Sequence, residues 1–176
     1  MRRIRSARVV AGWYDSAVSA ALVTGTLLAV VGLILSFALG VAADSSAEIL
    51  QHTTVSIFFT LVTLLAHSMT MFYLIGKGRA VREAVTDGGL SPRFVAEIAQ
   101  VRRPVFSKGT LAMAATMATA IIGGGVDTRV VPVGVHTALA ALCILMNLIA
   151  LRAELIALLS SSRIVSEVNR QLGAQV

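Results

Sequence analysis

The apolar parts of this sequence contain a few side chains able to carry chemistry, and their spacing is regular. Thr53, Ser56, Thr60, Thr63, His67 and Thr70 follow one another at steps of 3 and 4, which puts them on a single face of a helix. His136, Ala140, Cys143, Asn147, Ala150 and Glu154 repeat the same steps further along. Hydroxyl, amide and imidazole groups aligned in this way form a polar seam that can hydrogen-bond between helices. His67 and Asn147 stand first in the seam because both are expected at or just inside the cytoplasmic half of the bilayer, where a direct bond between them is one option. A neutral His67 held by Asn147 is structural, whereas a titrating His67 facing a water cavity marks a proton or small-ion pathway.

His52 and His136 suggest different chemistry. Two histidines on separate helices can supply both axial ligands of a b-type haem, or hold a metal, and so define an electron-transfer subunit. Met69, Met71, Met113, Met117, Met146 and Cys143 are soft sulfur ligands of the kind that bind copper(I), although methionine is also common in lipid-facing and core positions. Glu154 reads in two ways. If its helix leaves the membrane near Leu151, Arg152 and Glu154 are headgroup residues. If its depth matches that of Thr70, it is a candidate proton or cation site. Length favours the headgroup position, since Pro132 to Leu151 already covers about 30 Å at roughly 1.5 Å per residue. Catalysis finds no support: no paired carboxylates lie within an apolar run, no Ser, His and acid form a known arrangement, and no His-Glu-x-x-His helix occurs.

The elements that must position these residues are four apolar runs at about 17–43, 53–76, 109–126 and 132–151, the last extendable to 159. Each approaches or exceeds the roughly 20 residues that cross a hydrocarbon core of about 30 Å as helix. Helices are the spanning form expected of such continuous runs, because lipid leaves backbone groups no water to bond. A composition of 56% hydrophobic and 14% charged residues agrees, and 176 residues leave no room for a separate soluble domain. The expectation is an all-α membrane protein, residues 1–176 forming one transmembrane four-helix bundle.

The net charge of +6 is read through its placement. With a cytoplasmic N-terminus, Arg2, Arg3, Arg5, Arg8, Lys77, Arg79, Arg82, Arg93, Arg102, Arg103, Lys108, Arg152, Arg163 and Arg170 all fall inside and Arg129 alone falls outside. Both termini are therefore expected in the cytoplasm, the basic residues facing anionic headgroups and not nucleic acid. A cleaved signal peptide ending at Val41-Ala42-Ala43 is the competing reading, but an apolar core of that length suits a retained helix, with Trp13-Tyr14 at the interface. Cys143 is the single cysteine, so no internal disulfide or thiolate cluster is expected.

An internal repeat at an offset of 84 residues organises the runs: Gly25-Thr26-Leu27 recurs as Gly109-Thr110-Leu111, His52-Thr53 as His136-Thr137, and Arg79-x-Val81-x-Glu83 as Arg163-x-Val165-x-Glu167. Two parallel helical-hairpin repeats about an axis along the membrane normal follow from it. Between them lies a cytoplasmic helical connector, 77–107, broken at Asp87-Gly88-Gly89 and restarted by Ser91-Pro92. Its apolar stripe of Phe94, Val95, Ile98 and Val101 can lie in the headgroup layer, dock on a partner, or touch its own bundle. Small stripes on the first run (Gly25, Ala29, Gly32, Ser36, Gly40) and the third (Gly109, Ala112, Thr116, Ala120, Gly124) let helices approach closely.

The stretch His67-Ser-Met-Thr-Met-Phe-Tyr-Leu-Ile-Gly-Lys-Gly-Arg79 resembles segments of uncharacterised four-span bacterial inner-membrane proteins, which implies that location but no particular activity. Taken together, these residues point to a non-enzymatic membrane subunit or scaffold, open to self-association or a membrane partner, with haem binding at His52 and His136 and an ion path at His67 as alternatives. The topology has a direct test. A cysteine introduced at Asp87 is expected to stay unlabelled by a membrane-impermeant thiol reagent added to intact cells, and labelling from outside would overturn the orientation.

Overall fold

A helix that is apolar around its whole circumference has no side to offer water, so it must pack against other helices or against lipid. The computed structural model describes residues 2–174 and the side chains of residues 16–174. In it the four runs lie within four long helices, α1 (Arg2–Ala42), α2 (Ser46–Asp87), α3 (Arg93–Asp127) and α4 (Val133–Ala174), with no strand among the described residues. All four are long and apolar enough to cross a membrane. Leu28, Val31, Phe58, Leu61, Phe72 and Ile121 are each more than half exposed on the outside of the bundle, a surface suited to hydrocarbon. Trp13, Tyr14 and the basic residues Arg2, Arg3, Arg5 and Arg8 lie outside the described side chains.

Consecutive helices run antiparallel, as cross-helix contacts of Ser36 with His52, Ser68 with Met113, and Gly123 with His136 require. One end of the bundle thus carries the α1–α2 and α3–α4 turns, called here the two-loop end. The opposite, basic end carries the α2–α3 turn and the outer ends of α1 and α4. Neighbours around the ring touch, and of the two diagonals α2 and α4 are in contact while α1 and α3, among the described residues, are not. The central pair is therefore α2 and α4, the two helices that carry the polar seam. Along them, residues at the offset of 84 lie side by side at both ends: His52 by His136, and Gly88 by Leu172.

The helices outrun a bilayer. α2 and α4 have 42 residues each, which is about 60 Å of helix at roughly 1.5 Å per residue. The surplus gathers at the basic end, where Val81, Val85, Phe94, Ile98 and Val168 form a second core flanked by Leu90, Val95, Ile164 and Leu172. The stretch 77–107 touches its own bundle, one of the settings the sequence leaves open: α2 continues through Asp87, residues 88–92 form the turn, and Phe94 and Ile98 face inwards. Its apolar stripe is covered by the bundle itself. Gly89 makes the turn at φ +59, a left-handed conformation that a side chain would strain, and the Leu90 N–H bonds back to the Val85 carbonyl at 3.0 Å. Pro92, with helical dihedrals, stands at the N-cap of α3 without a side-chain cap bond, and the Arg93 N–H lies 3.4 Å from Ser91 Oγ.

At the two-loop end α2 begins with a reciprocal cap. The Glu48 N–H bonds Ser45 Oγ, and the Glu48 carboxylate accepts from the Asp44 and Ser45 backbone and from the Ser45 hydroxyl. Those donors, the Asp44 backbone first, hold the Glu48 carboxyl below its usual range.

Small residues set how closely the helices approach. Gly25 of α1 faces Ala66 of α2, and Gly109 of α3 faces Met71. At Gly32 an added Cβ would collide with the body of the Phe59 ring. Gly32→Leu is therefore expected to destabilise the bundle by about 1–3 kcal/mol through overpacking. Leu35→Ile, at a half-exposed position on the same helix, should change little in thermal unfolding in detergent. Equal melting of the two variants would remove the close α1–α2 contact.

Candidate functional site

Five polar side chains contributed by all four helices meet inside the bundle, and each is at most 2% exposed: Thr26 of α1, His67 of α2, Thr116 of α3, and Asn147 and Glu154 of α4. Alanine and glycine make room for them. Ala150 and Ala112 are fully buried, Gly109 comes close to Glu154, and Gly25 and Ala66 pack together beside Thr26 and His67. Small side chains at this level bring the helices near enough for short polar groups to bridge them.

The protonation pattern follows from which atoms can only accept. Asn147 Nδ2 lies 2.8 Å from the Cys143 carbonyl and 3.1 Å from Thr116 Oγ1. A carbonyl oxygen has no proton to give, so this end of the amide is the nitrogen. Asn147 Oδ1 then faces His67 Nε2 at 2.9 Å, and His67 must donate from Nε2. The other ring nitrogen, Nδ1, is 2.6 Å from Glu154 Oε1. A lone pair on Nδ1 facing a bare carboxylate at that distance would be repulsive, so one proton lies between them. Whether it resides on His67 or on Glu154, the pair carries no net charge, the state a low-dielectric interior favours. Thr26 Oγ1 completes the carboxylate by donating to Oε2 at 3.0 Å.

Glu154, for which helix length favours a headgroup position, is buried inside the bundle and not exposed on its surface. Its carboxylate is bonded within the bundle at the level of His67, and exposed apolar side chains continue past it towards the basic end at Phe72, Ile75, Ile156 and Leu159. Length misleads here because α4 does not stop near Leu151 but runs unbroken to Ala174. Arg152 faces outwards at the same level, where its long stem can carry the charge towards the interface.

Of the remaining seam residues, Thr63 and Thr70 are fully buried but bond their own helix, to the Phe59 carbonyl at 2.7 Å and the Ala66 carbonyl at 3.1 Å. Thr60 lines a cavity of about 340 Å³ that occupies the two-loop half of the bundle and is walled by all four helices. At its deep end stand Thr116 and Cys143, which belong to the polar network; towards its mouth stand His52 and His136. On the opposite side of His67 and Glu154, towards the basic end, Leu22, Met71, Leu74, Val105, Ala157 and Leu158 form a tight apolar cluster. Beyond that cluster Lys77, largely buried, bonds Ser162 Oγ at 3.0 Å and lies over the Tyr73 ring.

Of the sulfur residues, Met71 and Met113 share the apolar cluster and Cys143 belongs to the polar network. Met69 and Met117 are half exposed on the outside. Among the described residues no three His, Cys, Asp or Glu side chains gather as metal ligands would. Two members of the network, Thr26 and Thr116, lie outside the polar seam read from the sequence: Thr116 belongs to the small-residue stripe of the third run, and Thr26 to the repeated Gly25-Thr26-Leu27. Helical spacing places them on packing faces, and only the partner helix reveals that each hydroxyl has a buried acceptor or donor to meet. No protein-family model, curated protein or solved structure matches this chain. Fold and site define the class: an all-α four-helix protein, able to span a membrane, with a buried histidine–glutamate pair.

Removing one partner of this pair is expected to cost much more than one ordinary interhelical hydrogen bond. Glu154→Ala or His67→Ala should each destabilise by about 3–5 kcal/mol, because each leaves a buried polar group uncompensated. The double replacement His67→Leu with Glu154→Leu should recover a large part of that loss. Unfolding in detergent checks both, and single losses near 0.6 kcal/mol would mean that the pair behaves as an average membrane hydrogen bond.

Proposed function

We propose that this protein is a four-span membrane protein that conducts protons, with the His67–Glu154 pair as the intramembrane binding site and the cavity at the two-loop end as its aqueous approach. The observation that carries the reading is the 2.6 Å contact between two titratable groups buried within the apolar belt, one polar layer below a 340 Å³ cavity. Titratable groups at that depth are costly to keep in an apolar surrounding, which makes them functional candidates by default. A proton is the favoured cargo over a metal cation because the site offers a single carboxylate, and its hydrogen bonds already centre on one shared proton. Thr116 and Asn147 form the partition between cavity and pair, and the apolar cluster around Leu74 and Val105 closes the far side.

Orientation follows from charge. The basic end faces the cytoplasm and the two-loop end faces outwards, with Arg129 the one described cation on that side. The bacterial inner membrane is the proposed location, as the resemblance of the His67–Arg79 stretch implies. Matched contacts at the offset of 84 support two hairpin repeats packed about a central axis. Seen through that offset, Thr63, His67 and Thr70 of α2 correspond to Asn147, Leu151 and Glu154 of α4. The proposed site thus lies where the two halves differ.

A second reading, a purely structural clasp within a scaffold subunit, is favoured by the fact that each titratable or amide side chain of the network has a partner. Proton flux separates the two. In proteoliposomes holding a pH-sensitive dye and poised with a potassium diffusion potential, the wild type is expected to exceed protein-free vesicles, and Glu154→Gln to cut that flux at least tenfold. Glutamine keeps the carboxylate's shape, its amide N–H can donate to the Nδ1 lone pair of a neutral His67 and its oxygen can accept from Thr26, so folding is retained. Wild-type flux equal to that of empty vesicles, or a Glu154→Gln variant as fast as the wild type, would exclude conduction and leave the clasp.

A further inference from the structure

We propose that the cavity at the two-loop end is a haem b site with His52 and His136 as its axial ligands; a haem there would take the place of water in the approach to His67, so this reading competes with the aqueous approach and does not rest on it. The rings project from α2 and α4, the diagonal pair, and their centroids are 6.3 Å apart with the ring planes at 74°. Two metal–nitrogen bonds of about 2 Å placed opposite one another, with the two ring radii added, bring trans imidazoles to roughly 6 Å between centroids. Tetrahedral coordination would draw the same rings closer together. The angle between ring planes is free, since each imidazole can rotate about its bond to the metal.

The surroundings of each ring match. His52 packs against Gly40 of α1 so closely that a Cβ there would collide with it, and its Nδ1 donates to the Ser36 carbonyl at 2.8 Å. That bond fixes the tautomer and leaves the lone pair on Nε2, the usual second-shell arrangement of a ligating histidine. His136 packs in the same way against Gly123 of α3. His136 Nδ1 is buried and has no hydrogen-bond partner.

The cavity suits a large flat apolar group. Leu33, Phe37, Ile57 and Ile144 provide apolar wall, and Ala120, Gly124 and Ala140 provide room. Its volume of about 340 Å³ lies in the range of cofactor pockets, roughly 300–1,000 Å³. The protein supplies two nitrogen donors and, among the described residues, no third ligand gathers with them. A porphyrin, which brings four nitrogens of its own, fits that donor set better than a bare ion does.

The test is titration of the detergent-purified protein with haemin, followed by dithionite reduction. The expected result is one haem per chain with a sharp Soret band and the low-spin spectrum of six-coordinate iron. His52→Ala and His136→Ala should each convert this to a high-spin spectrum, and millimolar imidazole should restore the low-spin form by filling the vacated place. Rescue separates loss of a ligand from loss of fold. Glu154→Gln should keep the wild-type spectrum, which keeps the outcome separate from that of the proton reading. A wild type that binds no haem stoichiometrically, or a His52→Ala/His136→Ala double variant whose spectrum matches the wild type, would overturn the proposal.

Discussion

The arrangement depends on one constraint: a histidine and a glutamate are held together where neither water nor lipid can solvate them. Inside an apolar bundle each polar atom of such a pair must find its partner in the protein or shed its charge. His67 meets this by bonding through both ring nitrogens, and Glu154 by sharing a proton on one oxygen and accepting from Thr26 on the other. Because the partners come from all four helices, the bonds fix rotation and depth for each helix at once. Leucine and alanine contacts would tolerate a slip of one residue; a 2.6 Å hydrogen bond would not.

Small residues and polar residues cooperate at that level. Thr26, Asn147 and Thr116 are short side chains that reach only when helices are close, and Gly25, Ala66, Gly109, Ala112 and Ala150 allow the approach. Away from the network the bundle divides into two dissimilar halves. Towards the basic end it is filled, first by the cluster around Leu74 and then by the second core around Phe94 and Ile98. Towards the two-loop end Thr60, Ala120, Gly123, Gly124 and Ala140 are too small to fill the centre, and a cavity results. The polar pair therefore lies at the boundary between an open half and a closed half. A site with one accessible side needs this geometry, and a simple packing bundle does not.

The relation between α2 and α4 gives the same structure a second level of order. Their contacts follow one offset along their length, so the outer histidines match as a symmetric pair while the inner polar positions do not. His67 faces Glu154 and Asn147 because the corresponding residues of the other half are leucine and threonine. Symmetric positions near the mouth suit a ligand held equally from both sides, and asymmetric positions at the centre suit a proton shared unequally between two groups.

Much of this was legible in the sequence. Four apolar runs of spanning length dictate four helices, since lipid permits no other partner for a continuous apolar backbone. The 3-and-4 spacing of Thr60, Thr63, His67, Thr70, Asn147 and Glu154 placed the seam on one face of two helices, because helical geometry is the same in every context. What spacing along one helix cannot encode is depth and partnership between helices. Glu154 looked like a headgroup residue because length was counted from Pro132, and only packing against His67 shows how far along α4 the apolar belt extends. Thr26 and Thr116 looked like packing residues, and Thr63 and Thr70 like equal members of the seam. In the tertiary structure all four hydroxyls bond a carbonyl of their own helix, and Thr26 and Thr116 are set apart by a second partner on another helix, Glu154 and Asn147. The cavity, too, belongs to the assembly alone: it is the volume left where four faces meet, and no single helix contains it.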